Sequence, residues 1–587
     1  MEKGSLMTSS SLFSWAYFTT FVFRASACLP VVDLGYAVQE AFPSDDAGGY
    51  YNFTNIRFGA PPIGQWRFRA PRVPEAGDRH ITNGGFDNIV CPSVMPSWMN
   101  TVNQQIGLLE NALQEKYQTL YTEVLEGVVV NATEPSIGTL DGSTPGENVT
   151  EDCLFLDLVD PHSVWENRNS CSTTKAPVIV WIYGGGYVNG NKRNVGNDDV
   201  SANVAGGLVG RSIAIQNNTI EPTIVVLPNY RLGLFGWLAG GHIIADGTPN
   251  AALFDQRLAL EWVEKYIHLF GGDPDRVTLM GQSAGGGSIE HHITSYGGER
   301  GWPPFQRAIL QSPIFYPQPA NDHTPENMFN QVLFLANVSS LQELRNASSE
   351  TLQRVNEIII NNSSYGYFTF GPVVDGDYVP DLPGKLLAEG RYHGNIHWML
   401  GHNQNHPFVF VSPSIANTSR AFEQSVTAAY LEGNASTISF MTKNLFPDKY
   451  SGSEGYITTF GRQEHFLNAS QMICNNLFLA QVQPESTYWY GFDVPPAYHT
   501  QDLAYTWADY PPVGYGGFDV DVAASLQEFI LSFAAGGAPS SSTANVSFLA
   551  YSRKCSVLNL GTDRVSVGMD HTDKEVCAWW QAAPYAT

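Results

Sequence analysis

The sequence predicts an α/β fold in which a mostly parallel central sheet is flanked by helices. Five short apolar runs have the composition of strands buried on both faces. They are "APVIVWIY" (176–183), "TIVVLPNY" (223–230), "RVTLMG" (276–281), "RAILQS" (307–312) and "IHWMLG" (396–401). Between the second and third runs, "NAALFDQRLALEWVEKYIHLFG" (250–271) repeats apolar residues at helical spacing and ends at a glycine. Strand, helix and strand in this order are typical of a parallel sheet.

Length and composition are those of a large folded chain. The 587 residues are 43% hydrophobic and 12% aromatic, which favours a large buried core over disorder. Residues 315–470 are predicted to be helical and rich in loops, and we expect them to form a lid or cap over the sheet. Because no internal repeat or long low-complexity linker divides the chain, residues 28–587 are predicted to form a single domain.

The N-terminus and the charge indicate where the protein works. Residues 1–27 combine a lysine, an apolar stretch from about residue 12 to 23 and the small residues Ala25-Ser26-Ala27, which predicts a cleaved signal peptide and a secreted protein. The apolar stretch is too short to span a bilayer, so we expect no stable membrane insertion. A net charge of −25 disfavours nucleic acid as a partner, because such binding needs clustered Lys and Arg.

Glycosylation motifs and cysteines support an oxidising, extracellular setting. The twelve Asn-x-Ser/Thr motifs are at Asn52, Asn131, Asn148, Asn217, Asn337, Asn346, Asn361, Asn362, Asn417, Asn434, Asn468 and Asn545. The seven cysteines are Cys28, Cys91, Cys153, Cys171, Cys474, Cys555 and Cys577, and their sparse spacing fits no zinc site. We therefore expect disulfides, with no metal ion and no cofactor.

Two glycine-containing turns carry the predicted chemistry. Gly281-Gln282-Ser283-Ala284-Gly285 directly follows a predicted strand and precedes a glycine-rich helix start. A strand-to-helix turn of this kind admits only small neighbours and presents the serine hydroxyl above the sheet, so Ser283 is the predicted nucleophile. An earlier strand ends in Gly184-Gly185-Gly186, whose backbone N–H groups can approach an oxyanion. A phosphate-binding loop is disfavoured because its Lys-Ser/Thr is missing.

These turns lie within longer segments that resemble the type-B carboxylesterase/lipase family, the cholinesterase-like branch of the α/β hydrolases, and most closely its secreted fungal members. The segments are "IRFGAPPIGQWRFRAP" (56–71), "EDCLFLDL" (151–158), "VWIYGGGYVNG" (180–190), "VLPNYRLGLFGWL" (226–238), "NAALFDQRLALEWVEKYIHLFGGDPDRVTLMGQSAGGGS" (250–288) and "AILQSP" (308–313). The resemblance implies an α/β-hydrolase fold and activity on carboxylic esters.

The resemblance also implies roles for individual residues. Ser283 matches the family nucleophile, and His499 in "PPAYHTQDLAYTW" (495–507) matches the general base. The N–H groups that match the oxyanion hole belong to Gly185, Gly186 and Ala284. Cys153 of "EDCL" matches a cysteine that bridges to an upstream partner, which here is Cys91.

The segment that carries the family's acid departs from the family pattern. Its form is Gly-x-Asn-x-x-Glu-Gly, whereas residues 401–407 here read "GHNQNHP", with His406 in the place of the glutamate. The carboxylate normally fixes the tautomer of the base and stabilises its cation. Losing this acid from a serine triad costs roughly 10⁴-fold in turnover.

Three interpretations of this departure stay open. In the first, another carboxylate reaches His499: Asp322 or, less favourably, Asp375 or Asp377. In the second, His406 is part of a Ser-His-His site that works slowly or on an activated acyl donor. In the third, the chain has lost hydrolysis and keeps the pocket for binding or for another reaction.

The sequence as a whole favours a secreted serine esterase that hydrolyses small to medium apolar carboxylic esters or transfers their acyl group. The fungal resemblance adds the expectation of a polyketide-like ester from a secondary-metabolite pathway. The alternative is an impaired or non-hydrolytic cholinesterase-like protein that binds a small molecule or a protein partner. The sequence does not determine the oligomeric state.

Overall fold

The strands of the described chain form one long sheet and one small sheet. They are β1 (Val31–Asp33), β2 (Val38–Glu40), β3 (Tyr50–Arg57), β4 (Ile81–Thr82), β5 (Phe155–Pro161), β6 (Ala176–Ile182), β7 (Ile224–Pro228), β8 (Gly272–Gln282), β9 (Arg307–Gln311), β10 (His397–Asn403), β11 (Thr487–Asp493), β12 (Ser556–Gly561) and β13 (Arg564–Met569). The computed structural model describes residues 29–42, 48–77, 79–115, 148–171, 174–193, 205–215, 217, 219–315, 324–412, 418–430, 435–507, 518–562 and 564–586.

The main sheet has ten strands in the order β13-β12-β11-β10-β9-β8-β6-β7-β5-β3, and β1, β2 and β4 form a second, small sheet. Neighbouring strands from β12 through β7 are parallel. The pairs β12–β13, β5–β7 and β3–β5 are antiparallel. The predicted mostly parallel sheet is therefore confirmed, with antiparallel strands added at both edges.

Helices flank this sheet. They are α1 (Met99–Glu115), α2 (His162–Asn167), α3 (Gly206–Ala214), α4 (Gly233–Trp237), α5 (Gly241–Asp246), α6 (Ala251–Tyr266), α7 (Ala284–Ile293), α8 (Thr324–Leu335), α9 (Leu341–Asn346), α10 (Ser349–Asn361), α11 (Pro383–Ala388), α12 (Ser419–Ala429), α13 (Ala435–Phe440), α14 (Thr459–Gln471), α15 (Ile473–Val482), α16 (Gln501–Trp507), α17 (Val520–Gly536) and α18 (Lys574–Ala582). Within the described ranges, every helix is too short or too polar to cross a bilayer.

The predicted strands form for the reason their composition suggests. All residues of β6 and β7 are buried, as are the last six of β8, and continuous apolar runs suit strands covered by helices on both faces. The predicted helix is α6, which a short 3₁₀ turn extends to Gly271. Gly271 has a φ of 93°, the left-handed conformation that commonly ends a helix at a glycine.

The region predicted as a lid is divided by a strand of the core. Helices α8 to α11 precede β10 and helices α12 to α14 follow it, but β10 itself lies near the centre of the sheet between β9 and β11. The sequence of β10 already indicated a strand. The described residues between 324 and 471 therefore supply both flanking helices and one central strand of the sheet.

Two disulfides join distant parts of the described chain. Cys91 bonds Cys153, the pair implied by the resemblance, and Cys474 bonds Cys577. Cys171 and Cys555 are free. The predicted signal peptide and Cys28 lie outside the described residues.

The asparagines of the glycosylation motifs differ in how much of their surface is exposed. One prediction is wrong: Asn52 lies in β3 with 2% of its surface exposed, which leaves no room for a glycan in the folded chain. Asn361 and Asn468 are half-buried. The exposed motif residues are Asn148, Asn217, Asn337, Asn346, Asn362 and Asn545. Asn131, Asn417 and Asn434 lie outside the described residues.

Candidate active site

Three parallel strands deliver the predicted catalytic side chains to one edge of the sheet. Ser283 follows β8, His406 follows β10 three residues after its end, and His499 follows β11. The carboxyl ends of parallel strands form the edge where open α/β sheets bind ligands. Because β10 pairs with β11 along six residues of each strand, the loops carrying His406 and His499 leave the sheet side by side.

Ser283 occupies a strained turn between β8 and α7. Its φ is 56° and its ψ −124°, far from the regions that a non-glycine residue prefers. Hydrogen bonds hold the turn: Ser283 N–H donates to Gln311 O at 2.9 Å, and Ile314 N–H donates to Ser283 O at 3.0 Å. A Cβ on Gly285 would lie 2.0 Å from Ile182 O, so only glycine fits there.

The glycine loop after β6 lies directly against this turn. A Cβ on Gly184 would lie 2.8 Å from the Cβ of Ser283. Gly185 and Gly186 have φ values of 104° and 62°, which other residues rarely adopt. The backbone N–H groups of Gly185, Gly186 and Ala284 donate to no acceptor within the described part of the chain. They are thus available to a ligand oxygen.

The loops after β10 and β11 are joined to each other by their backbone and by two asparagines. Asn403 Nδ2 donates to Tyr498 O (2.7 Å), Asn405 N–H donates to Ala497 O (3.0 Å) and Asn405 Nδ2 donates to Pro496 O (2.9 Å). These bonds fix the position of His406 relative to His499 even though about ninety residues of sequence lie between them.

His499 is buried, with 5% of its surface exposed. Its Nε2 lies 3.1 Å from Gln282 Nε2, and its Nδ1 has no hydrogen-bond partner among the described residues. Burial lowers the pKa of His499 to about 3, because a low-dielectric surrounding disfavours the charged ring. The amide of Gln282 is a donor, so Nε2 accepts and Nδ1 carries the proton.

His406 lies beside His499, with 6.2 Å between the ring centroids. Its Nε2 lies 2.7 Å from Asn468 Oδ1, and its Nδ1 is buried without a partner among the described residues. Burial holds the pKa of His406 well below its usual range, and the rings of His402 and His499 lower it further. Both rings are therefore neutral near pH 7.

The structure corrects part of the prediction of a relocated acid. Asp375 is held elsewhere, and Asp377 forms an ion pair with Arg300. The donors to Asp375 are Asn250 Nδ2 (2.7 Å), Asp377 N–H (2.8 Å) and Val379 N–H (2.9 Å). Neither carboxylate contacts His499, because their loop is tied to the N-terminus of α6. Asp322 lies outside the described residues.

One buried carboxylate near the site was missed by the sequence reasoning. Asp502, three residues after His499, accepts hydrogen bonds from Tyr490 Oη (3.1 Å) and Gln311 Nε2 (3.3 Å) through its Oδ2. Burial raises the pKa of Asp502 to about 6. No hydrogen bond joins Asp502 to His499, so within the described residues no carboxylate supports the histidine. The sequence signal that could have identified Asp502 is its position three residues after His499, at the start of α16.

Aromatic rings form one wall of the site. Phe410 packs edge-on against His499 with 5.3 Å between centroids, and a Cβ on Gly186 would lie 2.1 Å from the ring of Phe368. Trp98, which directly precedes α1, contacts Phe368 with 5.3 Å between ring centroids and Phe410 with 6.2 Å. The wall thus runs from the glycine loop to the histidine. Among the described residues, no group of His, Cys, Asp and Glu is arranged to hold a metal ion.

Three other aromatic residues close to the glycine loop in the sequence belong to the core. Tyr183 stacks on Tyr230, with 4.4 Å between ring centroids, and Tyr187 packs edge-on against Trp237 at 4.8 Å. Trp181 is fully buried beside Trp507, at 5.1 Å. The wall residues Trp98, Phe368 and Phe410 carried no motif that sequence reasoning could use.

Comparison with known proteins gives a consistent result. The sequence model of the carboxylesterase family matches residues 39–580. The chain is 34% identical over 567 residues to carboxylesterase patB of Aspergillus clavatus, covering 95% of this chain and 96% of that protein. It is 33% identical over 315 residues to the inactive carboxylesterase-like protein VdtD of Byssochlamys spectabilis, covering 51% of this chain and 50% of that protein.

Among solved structures, EstA of Aspergillus niger has the same fold. Its TM-score is 0.74, the match covers 95% of this chain and 99% of that chain, and the sequences are 22% identical. Likeness at this identity concerns the fold alone, and it agrees with the sheet order and flanking helices described above.

Proposed function

Because the chain belongs to the carboxylesterase family, we propose that it is a secreted serine carboxylesterase with Ser283 as nucleophile and His499 as general base. The observation that carries the proposal is the backbone of Ser283. Its φ of 56° costs of order 1–3 kcal/mol, a strain that is found mainly at functional sites. A plain turn would place a glycine at this position.

The reaction we propose uses the groups around this turn. Ser283 Oγ attacks the ester carbonyl while His499 Nε2 takes the hydroxyl proton, and the N–H groups of Gly185, Gly186 and Ala284 bind the oxyanion. The protonated His499 then gives its proton to the leaving alcohol. Water repeats the sequence on the acyl-enzyme and releases the acid. His499 must first leave the Gln282 amide, which occupies the Nε2 lone pair in this structure.

His406 takes the place of the acid in this proposal. It supplies a hydrogen-bond acceptor to His499 without supplying a negative charge. The imidazolium of His499 is then less stabilised than beside a carboxylate, and turnover is slow relative to a full triad. The substrate is an ester whose chemistry tolerates this weakness, such as one with a good leaving group.

The substrate class follows from the wall of Trp98, Phe368 and Phe410, which reaches from the oxyanion glycines to the base. Aromatic walls with few polar groups suit an apolar acyl or alcohol part. We propose a small to medium apolar carboxylic ester, hydrolysed or transferred. Secretion is supported by exposed glycosylation motifs and two disulfides. A role in fungal secondary metabolism rests on the family resemblance alone.

Covalent labelling with a fluorophosphonate probe tests the proposal, because such a probe phosphonylates only an activated serine. The purified secreted protein is labelled beside Ser283→Ala, with His406→Glu and the matched neutral variant His406→Gln. We expect time-dependent labelling of the native chain that Ser283→Ala abolishes. We also expect faster labelling of His406→Glu than of His406→Gln, since only the glutamate supplies charge to His499.

One outcome would favour a second candidate, a binding protein without hydrolysis. Two observations support this candidate. His406 stands where the family has its acid, and one relative is named inactive. In that case the native chain would remain unlabelled after long incubation, and only His406→Glu would react. An unlabelled His406→Glu variant would exclude Ser283 as a nucleophile altogether.

A further inference from the structure

The surroundings of His406 contain a residue that no catalytic motif includes. Asn468 lies in α14, sixty-two residues after His406, and its Oδ1 is 2.7 Å from His406 Nε2. An amide oxygen can only accept a hydrogen bond. His406 Nε2 must therefore carry the proton, which leaves the lone pair of the neutral ring on Nδ1.

His499 is in the complementary state. The Gln282 amide donates to its Nε2 in this structure, so the ring proton is on Nδ1. The serine proton also arrives at Nε2 during the proposed reaction, which keeps Nδ1 protonated throughout. Each ring thus has one partnered nitrogen, and each Nδ1 is buried without a partner in the described part of the chain.

The two unpartnered nitrogens match as donor and acceptor. The ring centroids of His406 and His499 are 6.2 Å apart, and their loops are bonded along the backbone. In an imidazole the two nitrogens lie toward opposite sides of the ring. The Nδ1 of His406 therefore lies away from Asn468, and the Nδ1 of His499 lies away from Gln282. A movement that brought the two rings together would let the Nδ1–H of His499 donate to the Nδ1 lone pair of His406.

We propose that Asn468 is a positioning residue, which holds His406 in the Nε2–H tautomer so that its Nδ1 accepts the hydrogen bond of His499 in place of the missing carboxylate. This inference rests on the proposed function. In the other tautomer of His406, an N–H group would face the N–H group of His499, and the cation formed in catalysis would be repelled. The amide of Asn468 therefore determines whether His406 accepts the hydrogen bond of His499 or repels its cation.

Asn468 is also part of a glycosylation motif, so its variants need a control for the loss of a glycan. The residue is half-buried and lines a cleft of about 770 Å³ that also borders Phe446 and Asp570. It belongs to the glycosylation motif Asn468-Ala469-Ser470, and a glycan would be attached through Nδ2, which leaves Oδ1 free to accept. Ser470→Ala removes the motif and keeps the amide, so it is the matched control.

The experiment measures kcat and KM for p-nitrophenyl butyrate, together with the fluorophosphonate labelling rate and the melting temperature. The variants are Asn468→Leu, which has a similar size without an acceptor, Asn468→Asp, which keeps an acceptor, and Ser470→Ala. Asn468→Leu is expected to lower kcat by about 10–100-fold at similar KM, by analogy with the loss of partners that orient metal-bound histidines. Asn468→Asp and Ser470→Ala retain native kcat or exceed it.

A second set of variants separates a catalytic effect from a structural one. In the His406→Glu background there is no tautomer to fix, so Asn468→Leu is expected to change kcat by less than about twofold, as for independent sites. A loss of kcat that is equal in both backgrounds overturns the positioning role and assigns Asn468 to the packing of α14. The same conclusion follows if Asn468→Asp is as slow as Asn468→Leu.

The outcomes also distinguish this inference from the proposed function. Native labelling at Ser283 that is unchanged in Asn468→Leu leaves the esterase proposal standing and overturns the role of Asn468. A native chain that is neither labelled nor active overturns both, because no reaction then remains for Asn468 to support.

Discussion

His499 combines a buried position with a requirement to become charged. Its pKa is lowered to about 3 because burial opposes the charged ring, and His406, equally buried, offers no compensating charge. In the proposed reaction His499 becomes a cation, so the same burial that keeps the base neutral raises the barrier. At the residue scale, the replacement of a carboxylate by His406 is expected to slow the proposed reaction.

This state of His499 predicts an unusual pH dependence. A base must be neutral to act, and a folded pKa below the ordinary 6.5 keeps it neutral as the pH falls. We expect kcat/KM at pH 5 to remain at more than about half of its value at pH 7, since the acid limb reports the pKa of the free enzyme. His406→Glu is expected to move that limb to higher pH, because a neighbouring carboxylate raises the pKa of His499.

Two variants control this measurement. His406→Gln adds no charge and leaves the acid limb where it is in the native chain. Asp502→Asn removes a buried carboxyl group next to the site, whose pKa is raised to about 6 by burial. A native acid limb near pH 6.5 that is insensitive to all three variants would show that burial does not control His499.

The turn from β8 to α7 shows why the nucleophile motif needs its glycines. Gly281, Gly285 and Gly184 surround Ser283, and at each of them a Cβ would lie within 3.0 Å of a neighbouring atom. At each glycine at least one of these contacts is with backbone, so movement of a side chain alone cannot relieve them. At the element scale, the strained backbone of Ser283 and the lack of side chains on the neighbouring glycines together position the serine hydroxyl.

Gly285→Ala tests this account. The added Cβ would lie 2.0 Å from Ile182 O in β6, and relief requires the turn and the strand to separate. We expect a loss of about 1–3 kcal/mol or more in the free energy of unfolding, the usual cost of overpacking a core, together with loss of labelling at Ser283. Urea unfolding and the probe measure the two effects.

Gly536→Ala is the matched control for that substitution. Gly536 ends α17, is exposed, and has no atom within 4 Å of the added Cβ. Alanine in a helix is favoured over glycine by up to about 1 kcal/mol, so this variant is expected to be as stable as the native chain or slightly more so. Equal unfolding free energies for the two variants would contradict the steric account.

At the scale of the whole molecule, the C-terminal segment holds the helices behind the site. Cys474 of α15 bonds Cys577 of α18, and Trp580 of α18 packs against Phe466 of α14 with 6.0 Å between ring centroids. Helix α14 carries Asn468. The disulfide therefore joins α18 to α15, and α18 also packs against α14, the helix that contacts His406 through Asn468.

Removal of this disulfide by Cys474→Ser with Cys577→Ser is expected to lower the free energy of unfolding by about 4–5 kcal/mol, because the bond closes a loop of 103 residues. Cys555→Ser is the control, since Cys555 is free, and it is expected to change stability by less than about 0.5 kcal/mol. Urea unfolding in the absence of reductant measures both. A double variant as stable as Cys555→Ser would contradict the assignment of the pair.

By itself, the sequence determined the class of the fold, the central strands, the turn of Ser283 and the glycine loop. These features depend on neighbours along the chain: apolar runs predict buried strands, and small residues around a serine permit a sharp turn. The segment from residue 401 to 407 also showed, without a structure, that the family's glutamate is missing.

Only the tertiary structure decided what surrounds the two histidines. The hydrogen bonds between Gln282 and His499 and between His406 and Asn468 join residues 217 and 62 positions apart, and neither pair belongs to a shared motif. The structure likewise shows that Asp375 accepts a hydrogen bond from Asn250 and does not contact His499. Such contacts depend on the order of the strands in the sheet and on how the helices pack over their ends, and a local pattern of residues carries no record of either.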